Sequence, residues 1–580
     1  MLDKIPAEIT TEILRYLLTP DLLQCMLVCR SLTPLAQAAM VNNVSLYFTP
    51  NIYAGLKFFR GNYLMAQQVH HADFRIEKDF RDHKLLQSIP SILPNLRSLR
   101  LYSRLQYYDI ADITITSKCK RTLKELSLRG YGAAYAVKML QTATFRALRS
   151  INVSFHNSHA HPSPLDMLRS MQEPNISKMF IKCLKNIPNL KQLSIKNATL
   201  YVCDVEDLHN IAPGLQELTV ATKGVPFSEQ KLTVGSHIQP LIKLKTLNLA
   251  IVPNERDVDE LDESVIKWLE YVHHKYIGLT NLRLEIMDPH DSEIHLDRFA
   301  FSKTLQSMNM MKRIVRKLEN MERIDSQFFP FTRENVALCK GFQLQGVKLW
   351  DMHVSIEQQL KNLHASKQAD SIKALHLVLS KDDHYTRPNA FKRLLLDYKM
   401  KHLKKLDIKI ELEQYMSLPY VLPAYLLRYV PTLESFSLDY MEIGDDVLPS
   451  FQVESGLRHF KVNLFRARGD LEATNTFFEN LFKACPLLES FDIRLSLDIA
   501  DTFTCLILDL KKYTKHLKDI RLRYDENSTC LLFNDDPKRR GKFWETHTRQ
   551  VREPFTVEKL IDLRCHGDAK LKIHAYDHLD

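Results

Sequence analysis

A short spacing of apolar residues returns along most of this sequence. Its clearest copy places Leu190, Leu193 and Ile195 at positions 1, 4 and 6 of the frame L-x-x-L-x-L. Positions 4 and 6 alternate as a half-buried β-strand requires, so one face of each strand is apolar and the other is free. The further copies are Leu96/Leu99/Leu101, Leu123/Leu126/Leu128, Leu148/Ile151/Val153, Leu215/Leu218/Val220, Leu244/Leu247/Leu249, Leu279/Leu282/Leu284, Leu305/Met308/Met310, Leu344/Val347/Leu349, Ile372/Leu375/Leu377, Leu403/Leu406/Ile408, Leu433/Phe436/Leu438, Leu457/Phe460/Val462, Leu488/Phe491/Ile493 and Leu517/Ile520/Leu522.

The copies follow one another at a regular step. With two weaker upstream copies, Val41/Val44/Leu46 and Val69/Ala72/Phe74, the first positions advance by 28, 27, 27 and 25 residues as far as Leu148. From Leu344 to Leu517 they advance by 28, 31, 30, 24, 31 and 29 residues. One strand per period of this length is typical of leucine-rich repeats. The pattern predicts an α/β fold: a solenoid bent into an arc, with a parallel inner sheet and outer helices. Unrelated strands in an ordinary α/β protein are the alternative, but they do not explain the step.

The segments between the copies read as connecting helices. Val265, Trp268, Leu269 and Val272 share one helical face. A second helical face is predicted from Phe503, Leu506, Ile507, Leu510 and Tyr513. The predicted organisation is a helical segment at 1–40, linking and first repeat units at 41–95, the solenoid at 96–525 and a polar capping segment at 526–580.

Composition excludes several classes of protein. No run of about 18 apolar residues occurs, so we expect no contact with a membrane, and the N-terminus lacks the features of a secretory signal. The net charge of +10 is spread along 580 residues, which argues against a nucleic-acid partner. Ten scattered cysteines without a C-x-x-C pair indicate free thiols in a reducing compartment, the cytoplasm and/or the nucleus.

No catalytic or cofactor-binding motif stands out. With only 15 glycines, phosphate-cradling loops are hard to build, and neither H-E-x-x-H nor G-x-S-x-G occurs. His156, His159 and His161 lie close in sequence, but no carboxylate or thiolate pattern accompanies them, so we predict no metal site. We expect neither an enzyme nor a cofactor. A basic stretch at 534–542 is a weak candidate for a nuclear import signal.

The N-terminal 40 residues differ from the repeats. Ile9, Ile13, Leu14 and Leu17 share one helical face after Pro6. Residues 19–21 can begin a second helix, and Thr33 followed by proline can cap a third. Three helices this short carry more large apolar side chains than they can bury by themselves. The surplus is expected to face either the repeats or another protein.

This segment resembles an F-box. The resemblance is carried by Ile5–Ile9, Glu12–Leu17, Asp21–Cys25, Leu27–Leu32 and Leu35–Ala36. Two positions depart from the family: Leu32 stands where a tryptophan is usual, and Pro34 falls early in the third helix. The resemblance implies that these residues dock on a Skp-family adaptor: Ile5, Pro6, Glu8, Ile9, Ile13, Leu14, Leu17, Leu22, Leu23, Val28, Cys29 and Leu32. A helical cap for the solenoid is the alternative.

The resemblance also implies a function, that of a substrate-recognition subunit of an SCF-type ubiquitin ligase. The adaptor would link the chain to a cullin, and the repeats would hold an unknown protein target. A non-catalytic scaffold with a degenerate F-box is the other possibility. Because frame positions 3, 5 and 7 point away from the apolar face, they should tile the target-binding surface. We predict a target site at Arg283, Trp350, His376 and Lys405, since aromatic and arginine residues dominate binding hot spots. Packing of Trp350 under a neighbouring loop is an equally good interpretation.

Overall fold

A computed structural model of the chain divides into two compact units, Met1–Asn320 (unit 1) and Met321–Asp580 (unit 2), each described by itself. The structure describes these residues: 6, 9–10, 13–14, 19–28, 30–46, 49–76, 83–103, 113, 115–130, 132–155, 176–198, 200–223, 238–252, 258–286, 301–351, 354–379, 400–410, 430–443, 455–468, 471–498, 504–514, 516–525, 528–534, 559–565 and 570–576.

In its described residues, unit 1 contains a sheet of nine parallel strands. They are β1 Asn43–Leu46, β2 His71–Arg75, β3 Ser98–Ser103, β4 Glu125–Gly130, β5 Ser150–Ser154, β6 Gln192–Ala198, β7 Glu217–Lys223, β8 Thr246–Val252 and β9 Asn281–Ile286. Each strand pairs with the next along the chain, so that like frame positions lie opposite one another, as in Leu99↔Leu126 and Leu126↔Ile151. The side of each sheet carrying frame positions 4 and 6 (the 4/6 face) is buried, and the opposite side is called the 3/5/7 face.

Parallel strands need crossover connections, and in unit 1 helices supply most of them. The helices are Thr19–Val28, Leu32–Asn42, Thr49–Gly61, Tyr63–Ala66, His83–Gln87, Ile89–Ile92, Ser117–Thr122, Gly132–Thr142, Ile176–Cys183, Val202–Ile211, Val258–Lys275 and Phe301–Lys317, with a 3-10 turn at Leu184–Asn186. Gly132–Thr142 packs against β3, β4 and β5. The predicted helical face at Val265, Trp268, Leu269 and Val272 is confirmed, because all four are buried.

The turns that lead into the strands are fastened to the preceding repeat. Asn95 and Asn189 each follow a proline, and their side-chain amides donate to the carbonyls of Gln67 (2.6 Å) and Arg146 (2.8 Å). At Gly278 the backbone of Ile242 approaches so closely that any Cβ would collide with its carbonyl oxygen, which explains the glycine at this turn.

Unit 2 continues the same frame. In the described residues its larger sheet holds nine parallel strands: β10 Arg323–Ser326, β11 Gly346–Trp350, β12 Ala374–Leu379, β13 Lys405–Ile410, β14 Ser435–Ile443, β15 His459–Arg468, β16 Ser490–Asp498, β18 Asp519–Asp525 and β21 Lys570–Tyr576. A second parallel sheet has the order β17-β20-β19, with bounds Thr504–Asp509, Lys559–Cys565 and Ser528–Asn534. The helices are Arg333–Leu338, Ile356–Ala365, Leu471–Ala484 and Leu510–Tyr513, with 3-10 turns at Cys339–Gly341 and Gln368–Asp370.

Two buried glutamines fasten the start of unit 2. The Gln359 side chain donates to the carbonyls of Trp350 and Val354, both at 2.8 Å, and accepts from the Phe331 amide at 3.1 Å. Gln368 does the same for the turn before β11: it donates to two carbonyls and accepts from the amide of Leu344. Each glutamine therefore satisfies three backbone groups that would otherwise be buried without partners.

The frame is confirmed for fourteen of the fifteen stronger copies and for both weaker ones, all of which lie on parallel strands. The copy at Leu305/Met308/Met310 is wrong, because these residues belong to the helix Phe301–Lys317. The strand of this repeat is β10, where Met321, Ile324 and Ser326 occupy the frame. The helical face predicted from Phe503 to Tyr513 is wrong for Leu506 and Ile507, which lie on β17; a short helix, Leu510–Tyr513, follows that strand, and Phe503 lies outside the described residues. Leu506 and Leu508 are buried while Ile507 is exposed, the alternation of a strand, and β17 covers them. Strands β19–β21 were not predicted.

Six cysteines are free thiols: Cys25, Cys119, Cys183, Cys203, Cys339 and Cys485. Burial raises the pKa of the Cys119, Cys339 and Cys485 thiols to about 12, so these three are protonated at neutral pH. No helix in the described ranges is both long and apolar enough to cross a membrane.

Candidate binding surfaces

The N-terminal helices form a small core. Leu14, Leu22, Ala36 and Ala39 are buried together. Leu32, in the position where a tryptophan is usual, is only 7% exposed. The third helix begins at Leu32, one residue before the predicted cap, and the Thr33 hydroxyl donates to the Met26 carbonyl instead. Leu14, Leu22 and Leu32, predicted as docking positions, therefore lie in the interior and hold the helices together.

The opposite faces of the same helices are apolar and exposed. Ile9 and Ile13 are exposed four residues apart, whereas Thr10 and Leu14, one position further round, are buried. On the helix Thr19–Val28, Leu27 is 80% exposed and Val28 is 67% exposed. We call the five exposed residues Ile9, Ile13, Leu23, Leu27 and Val28 the apolar stripe. An apolar surface this concentrated on so small a segment indicates a protein contact.

The remaining predicted docking residues are less informative. Ile5, Glu8, Leu17 and Cys29 lie outside the described residues, and Pro6 is exposed. Leu27, the most exposed residue of the stripe, was not among the predicted docking residues. Its spacing of four from Leu23 was the available signal, because residues four apart share one helical face.

The predicted target site in unit 2 is closed at its centre. Trp350 is only 4% exposed, so the expectation of an exposed tryptophan is wrong and packing is the correct interpretation. The Lys348 ammonium lies 3.9 Å from the centre of the Trp350 ring and 4.0 Å from the Asp325 carboxylate. Lys348 and Asp325 are themselves buried, at frame position 5 of β11 and β10. The 3/5/7 face is thus an interior surface here.

The other predicted target residues lie on partly open surface. His376 and Asp407 occupy the same row of β12 and β13, with 3.5 Å between the imidazole and the carboxylate. Lys405 is exposed at position 3 of β13. Arg283 belongs to unit 1, where its guanidinium pairs with the buried Glu285 at 2.6 Å. A target-binding role for these residues stays a prediction.

A groove that sequence reasoning missed lies on the 3/5/7 face of β2–β5. It encloses about 640 Å³, within the range of ligand-binding clefts. Three arginines from neighbouring strands line it: Arg75, Arg100 and Arg129. We call this cleft the arginine groove. The frame rule applied to these four strands would have found the residues, but not the cleft.

Register determines what each arginine faces. Arg75, Tyr102 and Arg129 share one row across β2, β3 and β4, and the Arg75 guanidinium lies 5.7 Å from the centre of the Tyr102 ring. In the next row Arg100 lies between Asp73 and Ser127. Among the described residues, none of the three arginines forms an ion pair within 4 Å.

Unit 1 also buries a polar cluster between its helices. Glu206, on the helix Val202–Ile211, accepts hydrogen bonds from the Tyr271 hydroxyl (2.6 Å) and the Lys275 ammonium (2.7 Å). His209, one turn further along, bonds the Tyr276 hydroxyl through Nε2 at 2.8 Å. Burial, reinforced by the nearby positive charge of Lys275, lowers the pKa of His209 to about 3. The imidazole is therefore neutral at physiological pH.

No group of three His, Cys, Asp or Glu side chains in the described ranges is arranged to hold a metal ion. His156, His159 and His161 lie outside those ranges.

Comparison with known protein families identifies the helical segment at the N-terminus. Residues 2–39 match the F-box-like family. No curated protein matches the chain significantly. Among solved structures, the chain is similar to TLR13 in a crystal structure of its complex with ssRNA13, at 11% identity and a TM-score of 0.30. That match covers 88% of this chain but 63% of the other, so the chain spans less than two thirds of its length. An F-box-like segment thus precedes parallel strands that repeat at the spacing of leucine-rich repeats.

Proposed function

We propose that this chain is the substrate-recognition subunit of an SCF-type ubiquitin ligase. The F-box-like segment docks a Skp-family adaptor, which links the chain to a cullin, and the strand repeats hold a protein target. The chain itself is non-catalytic in this proposal and contributes proximity, because holding a target beside the transfer machinery raises its effective concentration. It acts in the cytoplasm and/or the nucleus.

The apolar stripe is the observation that carries the proposal. Leu27 and Val28 project into solvent from a helix whose other side is already packed against Leu14 and Ala36. Covering a large aliphatic side chain contributes roughly 1.5–3 kcal/mol, so covering a stripe of five is a substantial contribution to binding. The stripe coincides with the segment matched by the F-box-like family, whose members bind such adaptors.

The test is a double substitution in the stripe, Leu27→Asp with Val28→Asp. Because both side chains are exposed, the helices should stay folded while adaptor co-purification falls by at least about tenfold. Ile242→Asp is the matched control, since Ile242 is also an exposed aliphatic residue of unit 1 but lies outside residues 2–39. Leu14→Asp is not diagnostic, because a buried carboxylate would unfold the helical core.

The alternative function, a scaffold with a degenerate F-box, makes the opposite prediction. The wild-type chain would then fail to retain the adaptor although its N-terminal helices are folded. Equal retention of the adaptor by wild type and the double variant would also contradict docking through the stripe. Circular dichroism of each variant establishes that the fold is preserved.

A further inference from the structure

The arginine groove holds more positive than negative charge, because three arginines line it against the two carboxylates of Asp73 and Glu125. Arg75, Arg100 and Arg129 are exposed and, in the described residues, form no ion pair. Three serines line the cleft beside them, Ser98, Ser127 and Ser150, and Glu125 lies between Ser98 and Ser150 in one row.

The spacing of the arginines suits a ligand with several anionic groups. Arg75 and Arg129 lie two strands apart in one row, about 10 Å between backbones at the usual strand spacing. Arg100 lies on the intervening strand, two residues before Tyr102. A guanidinium binds a carboxylate through two parallel hydrogen bonds. Three guanidiniums at these separations match carboxylates carried at intervals along an extended chain better than a single anion.

The other lining residues favour a peptide over a nucleic acid. Asp73 and Glu125 also line the cleft, so it favours a ligand whose negative charges are spaced, with uncharged residues between them, over a continuous phosphate backbone. Single-stranded nucleic acids are bound largely by stacking on several rings, whereas Tyr102 is the one aromatic residue among the described residues that line the cleft. The serines and Asn152 can instead hydrogen-bond the peptide groups of an extended segment.

We propose that the arginine groove binds an extended, acidic segment of the protein target, with Arg75 and Arg129 pairing with its carboxylates on either side of Tyr102. The inference rests on the proposed function, in which the repeats hold a target, and it assigns the chemistry of that target. It places recognition on β2–β5.

The experiment measures binding of labelled peptides to the purified full-length chain. The probe is a peptide of about ten residues with alternating Glu and Ser, which at about 3.3 Å per residue can cross all four strands. Its controls are the same peptide with Gln for Glu, the Gln peptide with one phosphoserine, and a single-stranded oligonucleotide of similar length. Saturable binding of the Glu peptide, with affinity at least about tenfold above that of the Gln peptide, supports the proposal. Equal binding of the two peptides overturns it, as does tighter binding of the phosphopeptide or the oligonucleotide.

Two matched variants place the binding on the groove. Arg75→Ser with Arg129→Ser should weaken binding of the Glu peptide at least about tenfold. Arg97→Ser with Arg149→Ser removes the same charge from exposed positions immediately before β3 and β5, outside the groove, and should change binding less than about twofold. Equal losses in both variants would show that only net charge matters and overturn the assignment.

Failure of this inference and failure of the proposed function are separable. The peptide assay needs no adaptor, so it reads the groove even if the apolar stripe does not dock one. Conversely, the two arginine variants should retain the adaptor at the wild-type level. Loss of peptide binding with retained adaptor assigns the effect to the groove.

Discussion

The 3/5/7 face is used in opposite ways by β2–β5 of unit 1 and by β11 of unit 2. On β2–β4, Arg75, Arg100 and Arg129 are exposed around a cleft. On β11 the corresponding positions hold Lys348 and Trp350, and both are buried. The strand geometry is the same, because in each unit like positions lie opposite one another. The frame therefore predicts the direction of a side chain, whereas the segments around the strand determine whether that side is open to solvent.

The largest expected effect comes from removing the buried charge of Lys348 on the 3/5/7 face of β11. Lys348→Met would remove the buried ammonium 4.0 Å from the Asp325 carboxylate and leave that carboxylate with Arg323 alone, whose guanidinium is 3.7 Å away and half exposed. Removing one member of a buried ion pair costs about 3–5 kcal/mol. Because Arg323 still pairs with Asp325, the free energy of unfolding in urea should fall by the lower end of that range, about 3 kcal/mol. Lys461→Met is the matched control: Lys461 occupies the same frame position on β15 but is exposed, and its loss should change stability by less than about 0.5 kcal/mol.

A double variant separates the charge from the packing. Lys348→Met combined with Asp325→Leu removes both charges and should recover part of the stability lost in Lys348→Met. If Lys348→Met were as stable as the control, the 3/5/7 face of β11 would not be buried, and it would resemble the arginine groove of unit 1.

A smaller loss is expected from the hydrogen bonds that fasten β11. Gln359→Leu would leave the Phe331 amide and the Trp350 and Val354 carbonyls without their partner. Buried unsatisfied groups cost about 1–3 kcal/mol each, so a destabilisation of at least about 2 kcal/mol is expected by calorimetry or denaturant unfolding. Gln358→Leu, at the exposed neighbour, should be nearly neutral; similar losses for both would refute the fastening role of Gln359.

Unit 1 buries polar side chains between helices, whereas unit 2 buries them beside β11. The contribution of the buried His209 of unit 1 to stability can be tested by changing the pH. Because the pKa of His209 is lowered to about 3, the unfolded chain binds more protons than the folded protein between that value and the ordinary 6.5. Stability from this group is thus fully present above pH 6.5 and is lost as pH falls through the window, by at most about 1.4 kcal/mol per pH unit. His209→Gln should flatten the dependence measured by urea unfolding from pH 7 to 5, and His274→Gln, at an exposed residue, should not. A slope unchanged by His209→Gln would contradict the assignment.

Sequence reasoning reached the strands because their signal is local and repeated. Burial on one face determines positions 4 and 6 of the frame, and the length of each crossover determines the period. The sequence pattern therefore predicted all of β1–β9. It failed at Leu305/Met308/Met310, where apolar residues three and five apart occur inside an amphipathic helix. It failed again at β17, because Leu506, Ile507 and Leu510 fit both a helical face and part of a strand.

The binding surfaces were less accessible to such reasoning for a physical reason. The apolar stripe was expected from a surplus of apolar residues, but Leu14 and Leu27 look alike in sequence, and only packing distinguishes core from surface. Likewise, nothing local to Trp350 shows that its face is covered. The frame does place Arg75, Tyr102 and Arg129 in one row, but it does not show that this row borders an open cleft. Exposure is a property of tertiary structure.

Removing Asp492 should make a surface of unit 2, where arginines are paired with carboxylates, more similar to the arginine groove of unit 1. Near the end of unit 2, Asp492 on β16 neutralises two arginines of β18, with its carboxylate 3.2 Å from Arg523 and 3.9 Å from Arg521. Asp492→Asn should release the Arg523 guanidinium, whereas Arg521 keeps its ion pair with Asp519 at 3.3 Å. The cost should be below about 1 kcal/mol, because both arginines are partly exposed. If unpaired arginines are what qualify the groove of unit 1 for acidic segments, this variant should gain affinity for the alternating Glu peptide by a few fold. The gain should disappear on adding Arg523→Ser. No gain, with binding at the groove intact, would mean that the enclosing shape of the cleft matters more than the unpaired charge, since Asp492→Asn supplies the charge alone.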